Sequence, residues 1–304
     1  MWFKNIQIFR FIESFQISAQ QLEEQLLSHQ ARPCGTSELA TYGWSSPFNK
    51  MGSALVHGSN GCFLFTACKE ERILPSSVVR DAVNDKVASI ETEQGRTVYR
   101  KEKAQLKDDA IFELLPRAFV KRKLTYAYID TKLGLLVVDT SSRNKAEELT
   151  TLLRQSLGSL KLAPVATRIN PGTQMTQWLL QDQIPSAFNV EDSCTMLDPK
   201  TGEGQVKYQR HDLTEKEVQA HLQTGKQVMQ LALTWADKMS FVLHEDLSIK
   251  RIRCLDLIQE KSKESHAETP EEQLDADFTL MTLEFAELFD AVFAAFEGLE
   301  NIPS

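Results

Sequence analysis

Two groups of residues in this chain have the types and spacing to do chemistry. The first is Asp130-Thr131-Lys132, with Asp139 a little further on. Metal-dependent phosphodiester cleavage needs clustered carboxylates to hold Mg²⁺ and often a lysine to steady the attacking water or the phosphate. Asp-x-Lys at a strand end supplies those types, and Asp139 could approach across a hairpin. Asp and Lys are also common turn residues, so an ordinary turn accounts for the same pattern. The second group is cationic. Arg96, Arg100, Lys101, Lys103 and Lys107 lie at helical spacing, and Arg100, Lys103 and Lys107 follow i, i+3, i+7 on one face. Such a row can follow a phosphate backbone, because each neutralised phosphate releases condensed counterions.

The cationic region runs on into Leu114-Leu115-Pro116-Arg117-Ala118-Phe119-Val120-Lys121-Arg122-Lys123. Here Phe119 and Val120 sit among four basic residues after a helix-ending proline. An apolar pair at a basic loop tip is either an ordinary core contact or a finger that docks into a partner subunit or wedges against DNA. No helix-turn-helix signature and no aromatic RNP motif accompanies these cations. That favours backbone contact without base reading.

Other chemistries lack their residues. The glycines never form a P-loop, and Gly202-Glu203-Gly204 lacks the third glycine of a dinucleotide fingerprint. There is no HExxH, and His57, His211, His221 and His244 stand apart from any nucleophile in sequence. Gly58-Ser59-Asn60-Gly61 is not a GxSxG elbow. Cys34, Cys62, Cys68, Cys194 and Cys254 are odd in number and form no CxxC, so neither a zinc knuckle nor a disulfide framework is suggested. The expectation is no enzyme, no cofactor and no metal site. No apolar run approaches the roughly 20 residues of a membrane span, and the N-terminus reads as a first strand rather than a signal peptide, so a cytoplasmic protein is expected.

The net charge of −8 argues at first against a polyanionic partner. Its distribution reverses that. Residues 260–304 hold twelve acids and two lysines, a local charge of −10, which leaves +2 on residues 1–259. Residues 96–123 hold nine bases and four acids, a local +5. A local basic field matters more to a phosphate backbone than the global sum.

The positioning elements follow from pattern. With 304 residues, about two folded units are expected. An aromatic and β-branched run over 2–11 predicts a strand, and Ser18 a helix cap before Leu22, Leu26 and Leu27. Residues 33–61 read as loops around one short helix. Cys62–Cys68 reads as a buried strand. Ser76 or Ser77 can cap a helix that Gly95 interrupts, and a second helix covers 100–114. Thus 75–123 is a helical excursion between strands. A hairpin at 124–139 is followed by a helix from Ser142 to Leu157 and a strand over 160–166. The segment 167–186 reads as a boundary around one helix near Trp178. Strands at 188–197 and 204–210 precede a short helix that Thr214 and Glu217 would cap. Strands at 228–235, 240–244 and 249–255 then form a meander. Residues 259–277 look charged and partly flexible, and 278–296 an amphipathic helix able to cover a sheet face. This mixed order favours an α+β fold.

The chain resembles the RdgC family of recombination-associated proteins. The resemblance rests on Trp2-Phe3-Lys4-Asn5, Pro33-Cys34-Gly35, Gly43-Trp44 and Lys69 through Ser76. It continues through Leu114 to Phe119, Ser156-Leu157-Gly158-Ser159-Leu160, Asp212-Leu213-Thr214 and Asp275-Ala276-Asp277-Phe278. It implies an α+β, horseshoe-shaped subunit with mixed sheets and a helical tip, paired at both ends into a ring-shaped homodimer with a basic hole. Residues 1–74 plus 124–166 would be the centre, 75–123 the tip and 167–304 the base. It implies double-stranded DNA binding with little sequence preference, restraint of the RecA recombinase, a link to replication-fork repair and a place on the nucleoid.

The DNA-binding candidates are then Arg96, Arg100, Lys101, Lys103, Lys107, Arg117, Lys121, Lys123, Arg210 and His211. By resemblance, Phe119 matches the family's finger at the tip–tip contact. Arg210 and His211 fall where the family carries polar or basic residues that affect DNA binding. His211 departs from the family's lysine–glutamine pair, and a neutral imidazole adds no charge near pH 7. The rival readings are an interaction module acting directly on RecA, and a metal-dependent nuclease using Asp130, Lys132 and Asp139.

Overall fold

A computed structural model describes residues 2–48, 52–263 and 267–301. Residues 49–51 of the expected loop region and 264–266 of the charged stretch lie outside the described residues.

In chain order the first elements are β1 (Asn5–Phe11), α1 (Ala19–Leu27), β2 (Ala40–Ser45), β3 (Val56–Ser59) and β4 (Cys62–Arg72). Two helices, α2 (Ser76–Gln94) and α3 (Arg100–Leu114), then leave the sheet and return through a 3-10 turn at Leu115–Arg117. Next come β5 (Val120–Asp130), β6 (Leu135–Asp139), α4 (Arg143–Leu157) and β7 (Leu162–Pro164). The second half holds α5 (Pro171–Gln181), β8 (Phe188–Leu197), β9 (Val206–Gln209) and α6 (Lys216–Gln223). It ends with β10 (Gln227–Trp235), β11 (Met239–His244), β12 (Ile249–Cys254), α7 (Asp256–Lys263) and α8 (Pro270–Ala295).

The fold is α+β, as the element order predicts. The expectation of mixed sheets is corrected. Among the described residues there is one 12-stranded sheet, ordered β2-β4-β5-β6-β1-β12-β11-β10-β8-β9, with β3 on β4 and β7 on β1. Every pairing of named strands is antiparallel. The physical reason lies in the connections. Five of the eleven strand pairs, β3–β4, β5–β6, β8–β9, β10–β11 and β11–β12, are consecutive strands joined by hairpins or short links, which can only be antiparallel, since parallel pairs need long crossovers. β1 and β12 close the seam between the two halves through Asn5↔Lys250 and Ile6↔Ile249.

Two apolar cores lie against this sheet. One collects Phe3, Ile6, Leu64 and Tyr128 with the inward residues of β8 and β10–β12, under Trp178, Val218, Leu222 and the buried face of α8. The other packs Phe9, Trp44, Phe65, Ile129 and Val138 under Leu22 and Leu26 of α1 and Leu149 and Leu153 of α4. α8 buries Phe278, Met281, Phe285, Leu288, Phe289 and Val292. Each such side chain stabilises by roughly 1.5–3 kcal/mol relative to exposure.

Several local expectations are revised. Residues 33–48 and 52–61 hold strands β2 and β3 rather than a helix. Pro75 takes the position before α2 and no side chain caps it, so Ser76 begins the helix and the serine cap is not used. Thr214 does not cap α6; its N–H and hydroxyl both donate to Asp212 Oδ1, and the helix starts only at Lys216. The last helix starts at Pro270, not Phe278, because Thr269 and Glu272 form a capping box. Much of the charged stretch is therefore ordered as α7 and the first turns of α8. Among the described residues no helix is long and apolar enough to cross a membrane.

Candidate nucleic-acid interface

The arm formed by α2 and α3 stands apart from both cores. Its buried residues Val79, Val87, Val98, Ala110 and Leu115 belong to neither cluster. Gly95 ends α2 at φ 61°, a left-handed position that favours glycine, and so turns the chain into α3. β4 and β5 form the root of the arm, paired down to Arg72↔Val120. Lys121, Arg122 and Lys123 are thus strand residues, not a loop.

Arg72 braces the return from the arm. Its guanidinium donates to the carbonyls of Leu115 at 2.8 Å, Ala118 at 3.1 Å and Gly35 at 3.1 Å. The Ile73 N–H donates to the Phe119 carbonyl at 2.8 Å. The Phe119 backbone is therefore pinned, while its side chain is 84% exposed. Of the two readings of that residue, a core contact within this chain is excluded. Val120, Ile73, Val78, Tyr99 and Phe112 are also exposed on or beside the arm. Exposed apolar side chains in this number on one arm are candidates for an interaction site. Between α2 and α3 a cavity of about 480 Å³ is floored by Leu39, Leu74, Val79, Val83 and Ile111, with Arg80, Lys103 and Lys107 on its lining.

The arm cations divide into two kinds. The Arg96 fork is occupied: Nη1 and Nη2 donate to Glu102 at 2.7 and 2.6 Å. That bond holds the Glu102 carboxyl below its usual range. Arg100, Lys101, Lys103, Lys107, Arg117 and Lys121 are exposed and make no ion pair with another described residue. Lys121 and Lys123 alternate with Arg122 along β5. Arg122 instead donates to Cys68 Sγ at 3.0 Å and Ser45 Oγ at 2.9 Å. Lys123 lies beside Lys145 of α4. Contact with Lys145, then desolvation and the Lys145 and Lys121 charges, pull the Lys123 ammonium below the usual lysine range. Three crowded amines favour an anion among them.

Arg210 and His211 are not brought to the arm. They follow β9, seven strand steps from β5, or roughly 34 Å across the sheet at about 4.8 Å per step. Arg210 is exposed at φ 53°. His211 stacks on Tyr208 at 5.1 Å, and its Nε2 lies 3.5 Å from Glu215, too long for a hydrogen bond.

The carboxylates proposed for metal chemistry do structural work. Asp130 is buried, and its Oδ1 accepts the N–H groups of Lys132 and Leu133, both at 2.9 Å, closing the hairpin turn. Lys132 Nζ donates to Asn60 Oδ1 at 3.1 Å. Asp139 Oδ1 accepts the N–H groups of Lys4 and Asn5 at 3.1 and 3.2 Å, and burial raises its pKa. Asp130 opposes Leu135 while Val138 opposes Ala127, so the hairpin carries Asp139 about four residues, roughly 13 Å, away from Asp130. Among the described residues no group of three or more His, Cys, Asp or Glu side chains could hold a metal ion.

The sequence reading missed Lys145, Lys207, Lys250, Arg251 and Arg253. The last three sit in Ile249-Lys250-Arg251-Ile252-Arg253, where simple alternation sends Lys250 and Arg253 to opposite faces. A register irregularity between β11 and β12 brings them together.

The described residues form an antiparallel α+β chain carrying a braced helical arm, several of whose exposed cations make no ion pair with another described residue. The family model described as "Putative exonuclease, RdgC" matches residues 1–299. The Recombination-associated protein RdgC of Pseudomonas aeruginosa strain PAO1 is 47% identical over 304 residues, 100% of this chain and 99% of that one. Those of Pseudomonas entomophila strain L48 and Pseudomonas putida strain GB-1 are 46% and 44% identical over the same span. The chain belongs to the RdgC family. These relatives are named for recombination and not for an enzymatic activity.

Proposed function

We propose that this protein binds double-stranded DNA through the sugar–phosphate backbone, without reading bases, as a homodimer that closes around the duplex and so restrains RecA. The observation that carries the reading is the set of exposed, unpaired cations on the arm beside a pinned and exposed Phe119. Cations with no internal partner have nothing to lose on meeting phosphates, and each one engaged releases counterions.

In this reading residues 75–123 are the tip of a horseshoe, 1–74 with 124–166 its centre and 167–304 its base. Phe119 enters the apolar cavity between α2 and α3 of a second copy, where Leu74, Val79, Val83 and Ile111 receive the ring. An aromatic side chain in an apolar site is the kind of anchor that dominates interface energetics. Arg210 joins the DNA-contact set at the base, while His211 contributes through its stacked ring rather than through charge. The protein acts in the cytoplasm on the nucleoid and needs no cofactor.

The test is binding to linear and closed circular duplexes of unrelated sequence across a salt series, with molecular mass measured in parallel. A species of twice 34.4 kDa that binds all sequences alike, with a steep salt slope, is the expected result. A strict monomer with no attraction for duplex at low ionic strength would end the reading.

The exposed apolar residues of the arm also suit direct contact with RecA. The two readings part on one measurement. A variant that no longer binds duplex should no longer restrain RecA-driven strand exchange; continued restraint would favour direct contact.

The absence of catalysis is equally checkable. Labelled duplex incubated with the protein and Mg²⁺ or Mn²⁺ should stay intact. Cleavage that Asp139→Asn abolishes would instead establish a nuclease.

A further inference from the structure

At the foot of the arm, the face of the sheet that α1 and α4 cover changes from apolar to cationic. Trp44 of β2 and Ala67 of β4 lie in the core under those helices. Two residues along each strand, and so on the same face, come Tyr42 and Lys69. Tyr42 opposes Lys69, and Lys69 opposes Lys123 of β5. Directly opposed residues have Cβ atoms roughly 4.5–5.5 Å apart, and like charges so placed are destabilising.

Lys145 adds a third amine. The chain leaves β6 at Asp139 and enters α4 at Arg143. β5 pairs with β6 only from Ala127 onward, so the start of α4 stands beside Lys123 and Thr125. Lys145 is half-buried and in contact with Lys123. Neither of these two lysines makes an ion pair with another described residue. The nearby acids of α4 are engaged elsewhere. Glu147 accepts from Arg143 at 3.0 Å, and Glu148 accepts from Lys69 at 3.1 and 3.2 Å.

Lys69, Lys123 and Lys145 all line one cavity of about 320 Å³, together with the hydroxyl-bearing Tyr42, Thr125 and Ser142. That volume suits a small molecule. Burial, with Glu148 and Cys68 adding to it, pushes the Tyr42 phenol up, so it keeps its proton as a donor. A second cavity of about 570 Å³ adjoins the first along α4. It shares Tyr42, Lys69, Asn144 and Glu148 and extends to Leu152 and Gln155.

We propose that the first cavity binds a compact polyphosphate, such as the diphosphate end of a nucleotide, with Lys123 and Lys145 as direct ligands and Lys69 as the third charge. The site does not depend on duplex binding. Crowded ammonium groups destabilise the chain by itself, and an anion seated between them reverses the sign of that interaction. Charge-assisted bonds from amines to phosphate oxygens are among the stronger hydrogen bonds. Shape and charge identify the ligand class. A strand of phosphates laid across this surface meets Glu71, Glu147 and Glu148 in turn. A single polyphosphate between Lys123 and Lys145 meets the amines first, and Lys69 already holds Glu148. The adjoining cavity, with Leu152 and the Tyr42 ring as apolar wall and Gln155 as a polar group, has room for an attached nucleoside.

The test is calorimetric titration of the full chain with pyrophosphate and with ADP at low ionic strength. Pyrophosphate should bind and should raise the thermal midpoint of the unaltered chain. K123Q/K145Q should lose roughly tenfold in affinity for each amine removed. K123R/K145R should keep most of the binding. Without ligand the thermal midpoint of K123Q/K145Q should not fall, whereas a purely structural role for the two lysines requires a fall. Tighter binding of ADP than of pyrophosphate would identify a nucleotide as the source, and equal binding a free polyphosphate. No binding of either, or binding that K123Q/K145Q leaves intact, would overturn the proposal. So would a loss of duplex affinity in K123Q/K145Q when the unaltered chain ignores pyrophosphate, which would give both lysines to the duplex.

Discussion

Charge reversal of the arm, R100E/K101E/K103E, should weaken duplex binding more than any other change on that segment. All three side chains are exposed and have no internal partner, so the fold loses no ion pair. Glutamate has nearly the helix propensity of lysine and arginine, and acids in a first helical turn suit the helix dipole. α3 should therefore survive, as far-ultraviolet circular dichroism can check. If each residue neutralises one phosphate, the log–log salt slope should flatten by about 2.7. Between 50 and 200 mM salt that share amounts to roughly a 40-fold change in affinity. The reversed charges add repulsion, so the loss at low salt should be greater than neutral substitutions give. Unchanged affinity and slope would remove the arm from the interface. Arg96→Gln should do much less, because Glu102 already holds its guanidinium.

The second large effect is expected from Phe119→Ala. The side chain is 84% exposed, so the subunit itself should lose no more than about 0.5 kcal/mol, as at other surface positions. In the proposed dimer, the contact between arms should lose far more. Truncating a buried aromatic hot spot costs roughly 2–4 kcal/mol, or about 30- to 1000-fold in the association constant. Mass measurements over a dilution series would read this directly. A base contact could still keep the dimer together, and a DNA defect in such a dimer would locate a gate at the tip. Normal duplex binding with undisturbed association of the arms would show that the exposed ring has another use. Arg72 makes the experiment sharper. It donates to the carbonyls of Leu115 and Ala118, just before the finger, so its loss should misplace Phe119 without removing it.

Much of the fold was legible because local patterns agree with their final environment. β1, α1, α3, the hairpin of β5 and β6, α4 and the β10–β12 meander all carry their own periodicity. The arm was legible as an excursion because two helical patterns interrupt strands, with Gly95 between them. The strands β2 and β3 were not. Ala40–Ser45 and Val56–Ser59 are short and rich in small polar residues. They become strands because β4, eleven residues long, offers them a ladder. The start of α8 was placed late because its first turns are acidic, and its capping box at Thr269 and Glu272 was not recognised.

The candidate site divides along the same line. The sequence alone determined the inventory: which segment is basic, that an apolar pair sits among those bases, and that no catalytic motif accompanies them. These are properties of composition and local spacing, and folding cannot change them. Only the tertiary structure decided which of those charges are free. Arg96 is neutralised by Glu102, six residues on, through a geometry that the linear pattern does not imply. Asp130 and Asp139 are kept apart by the hairpin register that seemed able to join them. Phe119 is exposed because Arg72, forty-odd positions away, braces the turn that carries it. Lys250 and Arg253 share a face only because one extra residue enters a ladder whose register is set by a different strand. Charge and hydrophobicity are carried by residues, but their direction is set by hydrogen bonds between segments distant in the chain.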